Sequence, residues 1–535
     1  MKLRIKEITT RVTPITAVLV GGEIVVDTES VSAVTAVKEF DVPVVPEGPP
    51  PIPPDTTAPS VAIVSPTGGT VAGNVTVTAT ATDNSGVGGV LGVQFKVNGV
   101  NFGPEDGTAP YAITWDTQAV QNGVYVLTAV ARDASGNQAT SAPVSVAVNN
   151  VVIPVPPPTP PPDHVRTFFL SPTGNDGNSG TQDAPWRTIW KAMMSTGPGD
   201  LIYMRGGTYG EALEMRGDPG NRFGKTMGGS PAGWWTLAGF DGEPVIFGSG
   251  DFSTNSIQYC RFQNITFING QNFGVRTASW ISGALKSHHI QIVNNTFNGT
   301  QPRYGFMEVG FDDSLVEGCE VVCTGGGTTT DHGIYLHNGE RNVVRNNRIS
   351  GVSGYGIHAY DERKGSSDPQ TFFRDVIIEN NVCSGSRLRA GLIAATGGDT
   401  QIQSMILRNN ITYANATDGI KLAALGSQNI LGVIVVNNTV NEDIQIQNAK
   451  MAGCEIRNNI ALGGIGGLSS GVIASNNMLT GNPQFVSVPD RNYHLQATSP
   501  TRGQGITMPV AAPVDKDGVT RPIPACDLGA YQFVE

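Results

Sequence analysis

The dipeptide Asn-Asn recurs at 294–295, 346–347, 380–381, 409–410, 437–438, 458–459 and 476–477, each time inside a short apolar or β-branched run such as VNNTF, RNNRI or RNNIT. Asn264, in FQNITF, marks an earlier copy. A second series interleaves with the first: YGFMEV, HGIYLH, YGIHAY, AGLIAA and DGIKLA, with glycines at 305, 333, 356, 391 and 419. A repeat of this length, made of short strands and turns, cannot bury its apolar face alone. It must stack on the next copy, which makes a solenoid. Strands laid directly on the preceding coil sit ~4.8 Å from it. Asn tolerates the left-handed turn conformation, and identical stacked Asn side chains can hydrogen-bond along the axis. The pairs therefore predict one corner of a parallel β-helix, with the glycine before each second strand permitting a tight bend.

The chain is long, 535 residues, with 67 Gly, 35 Pro and only 15% charged residues, a balance that favours turn-rich β structure. Two proline-rich stretches, VPEGPPPIPPDTTAP and VIPVPPPTPPPD, read as extended spacers. They divide the chain into a small β-rich anchor (1–44), a linker (45–57), a β-sandwich (58–149), a linker (150–163), the β-helix (164–480) and a C-terminal cap segment (481–535). The expected class is all-β. A net charge of −11 without a Lys/Arg stripe argues against nucleic acid as a partner. The first residues show no export signal and no membrane-inserting run. The cysteines at 260, 319, 323, 383, 454 and 526 have no zinc-ligand spacing and are expected to be buried thiols.

Residues 58–149 carry SVAIVSP, NVTVTATATD, YAITWDT and YVLTAVARDASGN, strands separated by turn signals. They resemble the bacterial immunoglobulin-like modules of surface and phage structural proteins. That resemblance implies a spacer or a weak glycan adhesin. Its acidic turns at Asp83, Glu105, Asp106 and Asp133 are read as solvated, with calcium binding as the alternative. FFLSPTGNDGNSGTQDAPWRTIWKAM, the Asn series and CDLGAYQF together resemble the right-handed parallel β-helix superfamily of pectate-lyase-like proteins, tailspikes among them. In the first of these segments Trp186, Ile189, Trp190 and Met193 have the spacing of an amphipathic helix capping the first coil.

Strand alternation places candidate chemistry. Counting from each glycine, the first and third following residues point inward and the second and fourth outward. The outward stripe then holds Arg276, Met307, Tyr335, His337, His358, Tyr360, Ile393 and Lys421, with Glu308 on the inward phase. The turns add Asp331, His332 and the run Asp361, Glu362, Arg363, Lys364. Aromatic faces with charged groups suit a sugar chain. His337, His358, Tyr360, Lys421, Asp331 and Asp361 are the catalytic candidates; Arg276, Tyr335, Glu362 and Arg363 are candidates for holding substrate. Two chemistries stay open. A lyase needs a base and a cation, calcium being the usual one in such lyases. A glycosidase needs two carboxylates. No metal ligand set is assigned from the residues, and no complete motif of either family is present.

Surface-type modules without a visible export signal are expected in a virion protein. The leading reading is a phage tailspike- or fibre-like protein that binds, and on one version cleaves, host surface polysaccharide. Residues 1–44 would join other virion proteins, and the resemblance implies a homotrimer. A secreted bacterial polysaccharide lyase or glycosidase, and an inert structural virion spike, are the alternatives.

Overall fold

The computed structural model describes residues 55–84, 89–120, 123–148 and 165–534, apart from 212, 217–227, 249–251, 269–272, 277–286, 300–304, 326, 338, 362–372, 398–400, 425–428, 448–449, 470, 507, 509–512 and 523–524, together with the backbone of four strands between residues 2 and 41. In that first part, Lys2–Glu7 pairs antiparallel with Ala36–Asp41, and Ala17–Val20 with Glu23–Val26. Residues 60–148 form two facing sheets, antiparallel except where Gly69–Val71 runs parallel to Val144–Val148. Val77, Phe95, Trp115 and Leu127 fill the space between them.

From residue 166 onward the chain winds as a right-handed parallel β-helix with three long walls. The first stacks 12 strands, from Arg166–Leu170 to Val472–Ser475; the second stacks 10, from Gly207–Tyr209 to Ile460–Ala461. The third stacks 10, from Leu213–Arg216 to Ile465–Gly466, and a short fourth wall of 5 strands runs from Gly339–Glu340 to Met451–Ala452. Apolar side chains of every wall meet in one core, where like residues often stack. The Phe267 and Phe297 rings lie 4.9 Å apart and 6° from parallel.

The Asn pairs turn the corner between the first and second walls. The first Asn of each pair has a positive φ, from 53° at Asn294 to 59° at Asn346, which only Gly, Asn and Asp adopt readily. Gly318 takes that place at φ 65° in a coil without a pair, and a Cβ there would collide with Asn294 Oδ1. The second Asn points inward and, from Asn295 to Asn459, is buried. Asn347 donates its N–H and Nδ2 to Asn381 Oδ1 (3.0 and 2.9 Å), and Asn381 does the same to Asn410 Oδ1 (3.0 and 3.0 Å). The ladder runs on through Asn438 and Asn459 to Asn477. Each amide also reaches back to a carbonyl of the preceding coil, as Asn381 Nδ2 does to Val344 O (2.9 Å). Satisfying every group is what lets a column of amides lie in an apolar core.

Two expectations need correction. The helix Ile189–Ser195, capped by Thr188, buries Ile189, Ala192 and Met193, but Trp190 lies outside its apolar stripe and is 37% exposed. The C-terminal segment is more than a cap on the end of the coil. Phe485, Tyr493, Leu495, Leu528 and Ala530 pack along the second wall against Val382, Ile411 and Ile460. Outward-pointing first Asn residues anchor it: Asn409 Nδ2 donates to Val514 O, Asn437 Nδ2 to Asp527 O and Asn458 Nδ2 to Ile506 O. All six cysteines are buried free thiols. Among the described residues no helix is long and apolar enough to cross a membrane.

Candidate functional site

The third wall carries the outward stripe. Tyr335 pairs with His358, His358 with Ile393, Ile393 with Lys421 and Lys421 with Gln445. A parallel file runs His337, Tyr360, Ala395, Ala423 and Gln447. The inward partners Ile334, Leu336, Ile357, Ala359, Leu392, Ala394, Ile420 and Leu422 are all fully buried. One coil departs from the count based on glycines. Gly305 pairs with His332 rather than with Gly333, so Met307 belongs to the core and Glu308 takes the phase of Tyr335.

Six rings gather on this wall. Tyr335 and His358 stack at 4.9 Å and 14°, and His358 and Tyr360 at 4.9 Å and 19°. His332 lies 4.2 Å from His358 and stacks on Tyr355 at 5.4 Å. His337 sits 5.4 Å from Tyr335. Small residues leave room for them: a Cβ at Gly310 would meet the His337 ring, and one at Gly397 the Tyr360 hydroxyl. The His332 Nδ1 accepts the Tyr355 N–H at 3.0 Å, so a neutral His332 carries its proton on Nε2. Burial, reinforced by Arg389, lowers its pKa to about 3. Burial also drives the His358 pKa well below the ordinary value, with His332 and Arg389 adding to the effect. The buried Nδ1 of His358 has no hydrogen-bond partner among the described residues.

The cations differ in their engagement. Lys421 Nζ holds Asp418 Oδ2 at 3.2 Å. Arg389 is exposed, stands 5.8 Å from the Tyr355 ring and forms no ion pair among the described residues. Between the rings and Lys421 lies an apolar patch of Ile393, Ala395 and Ala423, against which Tyr355 and Tyr360 pack. Asp331 is 8% exposed and closes its own turn, its N–H donating to Thr328 O at 3.1 Å and its carboxylate accepting the Thr328 N–H. That engagement corrects its place as a free acid at the edge of a groove. The backbone of Asp361 ends the strand Ile357–Asp361 opposite Thr396. The side chains of Asp361 and Arg276, and the whole of Glu362, Arg363 and Lys364, lie outside the described residues.

Sequence reasoning passed over Tyr355 and Arg389, and gave His332 no role. The signal was available for the first and last of these. Both occupy the position immediately before the strand glycine, a column that stacks as regularly as the strand itself. No such rule marks Arg389, two residues before Gly391. Among the described residues the one group of three His, Cys, Asp or Glu with converging ligand atoms is Asp55, Asp83 and Asp133, outside the β-helix.

Comparison with known proteins fits this architecture. A bacterial Ig domain family matches residues 59–129, and a right-handed β-helix region family matches 332–499. The periplasmic copper-binding protein (NosD) family matches 281–382, and a family described only as of unknown function matches 172–306. Pectate lyase PEL9 of Emericella nidulans is 24% identical over 305 residues, covering 47% of this chain and 68% of its own length. The crystal structure of pectate lyase Pel9A superposes with a TM-score of 0.50 at 17% identity, covering 70% of this chain and 97% of the lyase. A rhamnogalacturonan lyase covers 60% of this chain and 91% of its own at TM-score 0.35 and 16% identity. The chain thus comprises a bacterial Ig-like module followed by a right-handed parallel β-helix of the pectate-lyase type of fold.

Proposed function

We propose that this chain acts on an acidic polysaccharide laid along the third wall and cleaves it by β-elimination. The observation that carries the reading is the ring stack itself: a neutral imidazole whose buried Nδ1 has no partner among the described residues, beside an arginine with no carboxylate partner among them. Arg389, and Lys421 across the apolar patch, would meet uronate carboxylates and make the C5 proton easier to remove. His358 Nδ1 would take that proton as the C5–H bond breaks. The electron pair left at C5 forms the C4–C5 double bond and expels the glycosidic oxygen from C4, with a tyrosine hydroxyl of the cluster supplying its proton.

Hydrolysis would instead need two carboxylates flanking one bond at about 5–9.5 Å. Of the described acids of this face, Asp331 is engaged in its turn and Asp418 with Lys421, while Asp443, its pKa raised by burial and by Asp418, stands beside that pair. The likeness to pectate lyases supports a polysaccharide lyase over a virion spike. Attachment to a virion through residues 1–44, a host surface glycan as substrate and a homotrimeric state are proposals that rest on module order and resemblance.

Incubation of the purified chain with polygalacturonate and with capsular uronates tests the reading. Absorbance from unsaturated uronate ends is expected. New reducing ends without that absorbance would make the chain a hydrolase, and binding without either product would make it an adhesin.

A further inference from the structure

On the second wall, remote from the rings in the winding of the coil, the C-terminal segment roofs a cavity of about 190 Å³. The floor is Val382 and Ile411. Arg348 lines it from the wall, Arg491 and Lys516 from the roof, and Tyr413, Tyr493 and Tyr531 supply three phenol rings. Arg491 lies over the Tyr413 ring at 5.3 Å. Tyr413 is buried, and its hydroxyl has no hydrogen-bond partner among the described residues. Neither Arg348 nor Arg491 forms an ion pair among the described residues, although Glu320 pairs in register with Arg348 on the adjoining strand.

The nearby acids are engaged elsewhere. Asp517 holds His494 Nε2 at 2.6 Å, and Asp515 accepts the N–H groups of Asp517, Val519 and Gln532. Lys516 donates to Asn380 O, and burial brings its pKa down to about 8. An anion placed here would meet two guanidinium forks, which match a carboxylate or phosphate in two-pronged fashion, and an ammonium held out of water. The volume is below the roughly 300–1,000 Å³ of sites for larger ligands, so one ring fits and a chain does not.

We propose that this cavity is a second binding site, for a single sugar ring bearing an anionic group, with a hexuronate as its occupant. The choice of a uronate over a phosphate rests on the proposed action on acidic polysaccharide; the anion site itself does not. A pocket of this kind would capture the end of a glycan chain, or a released product, away from the cleavage face.

Calorimetric titration of the full chain with D-galacturonate, D-galactose and inorganic phosphate tests this. Galacturonate should bind and galactose should not, and binding should weaken as salt rises. Arg348→Gln with Arg491→Gln should weaken it at least tenfold in a protein whose melting transition is retained. If the double variant does not fold, Arg491→Gln alone should still weaken binding severalfold. His337→Ala with His358→Ala should leave it unchanged. Equal binding of galactose, binding of phosphate alone, no binding at all, or galacturonate binding unaffected by the arginine changes would each overturn the proposal. Loss of uronate binding with cleavage intact would remove this site only. Absent cleavage with binding intact would remove the third-wall reading only.

Discussion

The corner between the first and second walls and the face of the third wall are built by the same operation, one coil laid on another, yet they end in opposite states. Along the column of second Asn residues from Asn347 to Asn459 each meets the next Asn, and every polar atom of that column is matched by its neighbour or by a backbone group. In the third-wall file that carries the rings, Tyr335, His358, Ile393 and Lys421 succeed one another, so no residue of that file meets its like. There, among the described residues, the His358 Nδ1 is left without a partner and Arg389 without a carboxylate. Identity along the axis gives satisfaction and stability. Variety along the axis leaves unspent polar groups, the raw material of a site.

The contrast can be broken most severely at His358. His358→Ala should lower cleavage by about 10²–10⁴-fold, the usual range for removing an acid–base group, in a protein that still melts cooperatively, though at a lower temperature because its ring contacts are lost. A loss below tenfold would move the base elsewhere.

Asn410→Ala tests the other column. It takes the acceptor from two buried Asn381 donors and the donor from Ile378 O, so about 3–5 kcal/mol of stability should go, read by chemical denaturation. Cleavage by the remaining folded protein should be unaffected.

Acid separates the two regions further, because amides do not titrate and the ring cluster does. His332 is held neutral by burial, its pKa about 3 against an ordinary 6.5. A folded pKa below the unfolded one means the unfolded chain binds more protons. The contribution of His332 is therefore complete above pH 6.5 and is lost between 6.5 and 3 as pH falls. Stability should drop in that window by up to about 1.4 kcal/mol per pH unit for this group, with His358 adding in the same direction. His332→Phe should flatten the fall.

The smallest effect expected is a gain. Cys319 interrupts the ladder; its N–H donates to Asn347 Oδ1 at 2.9 Å, and its thiol points to Ile292 O at 3.6 Å where other coils place an amide. Cys319→Asn should bring an amide oxygen to the Asn295 N–H, which now meets the thiol, and raise stability by about 0.5–1.5 kcal/mol. A lowered melting temperature would show that the coil has closed around sulfur.

The ladder was legible because its chemistry is one residue repeated at one place. The register of Tyr335, His337, His358, Tyr360 and Lys421 was legible too, since alternation with period two fixes phase once a strand is anchored, but the exposure expected of that face was not: Tyr335 and Ile393 are buried. Reading failed where the anchor did. Gly305 looks like the other strand glycines, but its strand pairs one residue out of step, and a one-residue slip exchanges inside for outside, which puts Met307 in the core. Asp331 failed for another reason. Whether a turn carboxylate is free or bound by its own backbone depends on the turn's geometry, which composition does not carry.

What the sequence determined by itself is whatever repeats: the solenoid, its Asn corner, the immunoglobulin-like module, the buried thiols and the phase of most third-wall strands. Only the tertiary structure decided what does not repeat. It brought Tyr355 and Arg389 to His358, buried His332 far enough to hold it neutral, and folded residues 481–534 back along the second wall to close a cavity over Arg348. Periodic contacts join residues one coil apart and leave a mark at a fixed spacing. The contacts that make the two proposed sites join residues at no fixed interval, 143 positions apart for Arg348 and Arg491, and only the folded chain brings them together.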